Sequence, residues 1–105
     1  MQISASTNDQ LMVTAAHRYC LGRQTIAVGA CLDWLHAHWP QLTSQTQLVI
    51  LRDTIAALMD GEAGDPTIDV PGWRDFARWG MDRLTTEQRE WVRDALSYKK
   101  KEWPL

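Results

Sequence analysis

The apolar positions along this chain recur almost everywhere at helical spacing, and no stretch alternates with the period of a strand. Thr7 or Asn8 can open a first helix, whose apolar positions are read as Leu11, Met12, Ala15, Ala16, Tyr19 and Cys20. Gly22 stands where a left-handed residue ends such a helix. A second helix opens at Thr25, carries Val28, Cys31, Leu32, Leu35 and Trp39 in one stripe, and stops at Pro40. Ser44 followed by Gln47 reads as a capping box for a third helix, with Leu48, Leu51, Ile55, Leu58 and Met59 on one face and Gly61 at its end. Gly61 to Gly72 reads as one long connection, rich in proline and glycine, from which Ile68 and Val70 tuck onto the core. A fourth helix turns Trp73, Phe76, Ala77 and Leu84 inward, with Gly80 permitting close approach of a neighbour. Thr85 and Gln88 form a second capping box, opening a helix through Trp91, Val92, Ala95 and Leu96. The pattern predicts an all-α fold, a compact bundle of four to five helices.

Length narrows this to a single domain over residues 1–105, with residues 1–7 and 99–105 expected to be flexible. The unusual feature of the composition is six tryptophans against one phenylalanine. Six indoles do not all fit inside so small a core, so one or two are expected in a groove or exposed patch, Trp103 among them. A net charge of −2 argues against a nonspecific grip on phosphate. Charge is uneven, however. Asp60, Glu62, Asp65 and Asp69 form an acidic cluster with no basic residue among them, whereas Arg89, Arg93 and Lys99–Lys101 make the C-terminal end basic. Two cysteines, no charged-then-apolar leader and no bilayer-length apolar run lead to the expectation of a cytoplasmic protein with reduced thiols and no membrane role.

The polar residues suggest several chemistries. His17 and Cys20, three apart on one helix, make a legal half-site for zinc, but Cys31 and His36 do not supply the second half, and no metal or other cofactor is expected. A cysteine nucleophile with a histidine base needs a third group to orient the base, and Asp33 sits off the Cys31 face. With no phosphate loop, nucleophile elbow or metalloprotease motif either, the chain is expected not to be an enzyme. Arg18 and Arg23 flank the Gly22 turn, where they either bond the last carbonyls of the first helix or hold an anionic partner. The acidic cluster either keeps a loop solvated or competes with nucleic acid for a basic groove.

The run Arg18-Tyr19-Cys20-Leu21-Gly22-Arg23-Gln24-Thr25, followed a helix later by His38-Trp39-Pro40, resembles a signature of short phage and prophage proteins, RYALGR-x-T and then HW. It covers about a quarter of the chain, with Cys20 in place of the usual alanine. The resemblance implies a phage setting in a bacterial cytoplasm and carries no active site with it. Together with the residues it leads to the expectation of a binding protein that inhibits or modulates a host protein or complex, in its sharpest form an anti-CRISPR-type protein occluding a nucleic-acid-binding defence complex. The binding candidates are Asp60, Glu62, Asp65, Asp69, Arg18, Arg23 and Trp103. The alternative is a nucleic-acid-associated accessory factor of phage replication or recombination, working through the basic end. The tryptophan excess also suits a homodimer face.

Overall fold

Why each helix starts where it does is best seen at the caps. In a computed structural model that describes residues 7–21, 25–61 and 70–105, the chain forms α1 (Thr7–Leu21), α2 (Thr25–His38), α3 (Ser44–Asp60), α4 (Val70–Asp82) and α5 (Thr86–Leu96), with short 3-10 turns after α2 and α5. The α5 capping box is as read: Gln88 N–H donates to Thr85 Oγ1 at 3.1 Å, and Thr85 N–H donates to Gln88 Oε1 at 3.0 Å. The α3 cap falls one residue earlier than the Ser44–Gln47 reading. Thr43 is the cap, accepting from Thr46 N–H, while Gln47 Nε2 donates to the Trp39 carbonyl at 2.8 Å. The cause is tertiary: Gln10 of α1 accepts from Thr43 N–H at 3.0 Å and holds that residue extended. Gly61 ends α3 in the left-handed region at φ 77°, as its position predicted.

Helix α4 begins earlier than the sequence suggests. Pro71 and Gly72 belong to its first turn, where proline's missing N–H has no helical partner to lose. The rest of the long connection, residues 62–69, lies outside the described residues.

α3 is the centre of the bundle. It packs against α1, α4 and α5, while α2 lies against α1 and α4. The short axis of the molecule is 20 Å, two helix diameters of about 10 Å, so the helices form two layers. Ile50, Leu51 and Ile55 of α3, Trp73, Phe76 and Ala77 of α4, Val92 of α5, and Val28 and Leu35 of α2 are sealed from solvent. Gly80 permits the close α3–α4 contact, since a Cβ there would stand 2.5 Å from Leu51 Cδ2 and force that side chain to shift. Tryptophan burial is divided. Trp39 and Trp73 are core, Trp34, Trp79 and Trp103 are half-buried, and Trp91 is exposed. Among the described residues there is no strand, and no helix is long and apolar enough to cross a membrane.

Candidate docking face

α1 is turned opposite to its sequence reading. Leu11, Met12 and Tyr19 are 60%, 60% and 61% exposed, and Ala15 and Ala16 are exposed between them. The buried stripe is instead Gln10, Val13, His17 and Leu21, at i, i+3, i+7 and i+11. Polar contacts explain why a helix buries glutamine and histidine while leaving leucine and methionine in water. Gln10 holds Thr43, His17 Nε2 meets Thr54 Oγ1 at 2.7 Å, and Arg18 Nε donates to Asp53 Oδ2 at 3.0 Å. These pairings ascend together along α1 and α3, so the two helices run parallel.

The Thr54 hydroxyl donates onward to the Ile50 carbonyl at 2.8 Å, which leaves its oxygen as the acceptor for His17. His17 therefore carries its proton on Nε2. Burial, above all, pushes its pKa down to about 4; Arg18 adds to the fall and Asp53 opposes it. A neutral imidazole, edge-on to Trp73 with ring centroids 5.4 Å apart, is a core group here.

The outward ridge of α1 is bordered by two grooves. One, about 560 Å³, runs between α1 and α2 and is almost wholly apolar, with Met12, Ala16 and Cys20 on one wall and Cys31 and Trp34 on the other. The second, about 450 Å³, lies between α1 and α3, where Leu11 meets Arg18 and Arg52. Both guanidiniums share Asp53, at 3.0 and 3.2 Å, and so fix a cationic rim beside the apolar ridge. α2 extends the apolar surface with exposed Ala30 and Ala37, interrupted by Asp33.

The residues chosen from sequence are dispersed. Arg18 is on the face, though it bonds Asp53 rather than the carbonyls ending α1. Asp60 is occupied by the tail: Lys99 Nζ is 2.7 Å from both its oxygens and Lys101 Nζ is 3.3 Å from one, which holds its carboxyl below the usual range. Trp103, read as exposed, is half-buried against the core with the Arg93 guanidinium 4.5 Å from its ring centre. The 99–105 segment, read as flexible, is thus tied down at both Lys99 and Trp103. Arg23, Glu62, Asp65 and Asp69, like residues 1–6, lie outside the described residues.

No family model matches this chain, and no curated protein or solved structure is significantly similar to it. The site must be argued from its own chemistry.

Among the described residues no group of three histidine, cysteine or acidic side chains is arranged to hold a metal ion. Cys20 and Cys31 are free thiols. Burial first, and then the neighbouring Cys20 thiol, pushes the Cys31 pKa up to about 12. His36 faces away from both, in edge contact with Phe76 and Trp79 at 5.5 and 4.4 Å. Sequence reasoning missed the ridge because it assigned Leu11, Met12 and Tyr19 to the core. A usable signal was present in the competing stripe of Val13, His17 and Leu21, and in α2, which is apolar on nearly every side.

Proposed function

We propose that this chain is a phage-type binding protein that docks on a host protein in the bacterial cytoplasm and blocks it sterically, in the manner of an anti-CRISPR or other counter-defence protein. The observation that carries the reading is the outward face of α1: three large apolar side chains about 60% exposed on one helix, continuous with an apolar groove. Contiguous apolar surface rimmed by polar groups is what a protein interface needs. The cationic rim of Arg18 and Arg52 complements a partner whose apolar patch is bordered by carboxylates, whereas a second copy would offer the same two guanidiniums. Steric rather than electrostatic blocking is favoured, since Asp60 is already paired with the chain's own lysines.

The test is phage plating on bacteria carrying a panel of defence systems, with the wild-type chain or Met12→Glu/Ala15→Arg supplied in trans. Restored plating by the wild type and its loss in the variant, with unchanged circular dichroism, support the reading. A variant that protects phage as well as the wild type removes α1 from the mechanism. Wild type without effect on any system removes the counter-defence function. The nucleic-acid reading keeps one favourable observation, a pocket of about 220 Å³ lined by Arg78, Arg89 and Arg93. It predicts a salt-sensitive shift of single-stranded DNA that weakens on Arg89→Ala/Arg93→Ala.

A further inference from the structure

The two cysteines of this chain line one apolar groove from adjacent helices. Cys20 projects from the last turn of α1 and Cys31 from the middle of α2, and both line the same wall-to-wall cleft with Ala16 and Trp34. The Cys20 thiol is near enough to Cys31 to raise its pKa. Both cysteines are half-buried and packed on the core, and both line the open groove, which gives a small reagent an approach. A chance pair of packing cysteines needs neither a shared groove nor an open approach.

We propose that Cys20 and Cys31 form a reversible dithiol–disulfide pair, a redox modification site that ties α1 to α2 across the docking groove. The oxidant is a small disulfide of the glutathione class. The Cys20 thiolate attacks one sulfur of glutathione disulfide, and a glutathione thiolate leaves. The Cys31 thiolate then attacks the Cys20 sulfur of the mixed disulfide, and the second glutathione thiolate leaves. The protein loses two electrons and two protons, and one glutathione disulfide becomes two glutathione thiols. The order follows from proton affinity: burial and the Cys20 contact keep Cys31 protonated, making it the poorer first nucleophile. Once Cys20 is in the mixed disulfide it no longer carries charge beside Cys31, and the second thiol is easier to ionise.

Any consequence for docking rests on the function proposed above, but the bond itself is read with no partner present, so the two ideas fail separately. The full chain is equilibrated in glutathione buffers of increasing oxidation near pH 8, quenched with an alkylating agent and weighed. The expected product is a monomer that has lost both alkylatable thiols together and is lighter by two hydrogens. Closing a loop of this size should also raise the melting temperature on the order of 10 °C. Cys31→Ser should stop at a glutathione adduct on Cys20. The proposal is overturned if wild type stays fully alkylatable in excess glutathione disulfide, accumulates the mixed disulfide, or links into dimers. Should Cys31→Ser not fold, the wild-type masses decide the matter alone.

Discussion

Lowering the pH should destabilise this protein through one residue, and the magnitude can be worked out. The His17 imidazole titrates near 4 in the folded chain and at 6.5 when solvated. Between those values the unfolded chain binds a proton that the folded chain refuses, so stability is full above pH 6.5 and is lost as pH falls toward 4. At pH 5 the free imidazole is almost wholly protonated and the buried one about a tenth so, which gives a loss of about 2 kcal/mol relative to pH 7.5. That is a large part of a typical stability of about 5–15 kcal/mol. The assay is urea unfolding at pH 7.5 and pH 5, followed by tryptophan fluorescence, where the midpoint should fall by roughly 1 M. His17→Gln places an untitratable donor near the Nε2 position, within reach of Thr54. It should cost stability at pH 7.5 but remove most of the pH dependence in this window. Asp60, whose pKa is lowered by Lys99 and Lys101, loses its contribution below 3.8 and does not interfere. If wild type and His17→Gln lose stability in parallel between pH 7.5 and pH 5, the assignment of His17 as a buried neutral base is wrong.

The remaining predictions concern packing, capping and the tail. Gly80→Ala gains helix propensity of about 1 kcal/mol but forces the sealed Leu51 to move, at about 1–3 kcal/mol, so thermal denaturation should show a net loss. A higher melting temperature would mean that Leu51 yields freely. Thr43→Ala should cost about 1 kcal/mol in urea unfolding, and Ser44→Ala less than about 0.5 kcal/mol; the reverse order would restore the Ser44 cap. Asp60→Asn releases Lys99 and Lys101 and should speed trypsin cleavage in the tail, whereas an unchanged rate would show that Trp103 and Leu105 hold the tail unaided.

The sequence was readable where local chemistry decides and misleading where long-range polar contacts do. Thr85 and Gln88 are three apart and cap each other, so the α5 start is visible in the string itself. Gly61 and Gly80 carry equally local or steric signals. The Thr43 cap depends on Gln10, 33 residues away, and no local motif announces it. α1 has two stripes, one of leucine, methionine, alanine and tyrosine, the other of Gln10, Val13, His17 and Leu21. Hydrophobicity favours the first, but Thr43, Thr54 and Asp53 of the α3 segment select the second. The acidic cluster was read as one unit, yet Asp60 faces lysines about forty positions later that charge counting could not pair with it. Trp103 appeared exposed because its neighbours are lysines, when packing on the core and the Arg93 guanidinium hold it in place.

The clipping of α1 by Gln10, His17 and Arg18 has a consequence for how this surface can change. Most helices on a small domain owe their place to the same apolar side chains that a partner would touch, so a new specificity erodes the fold. Here attachment and display are assigned to opposite sides of one helix. Leu11, Met12, Ala15, Ala16 and Tyr19 carry little of the folding burden. Their identities are free to drift, and a lineage that must follow a changing target could rewrite its contact residues one at a time while the scaffold stays intact.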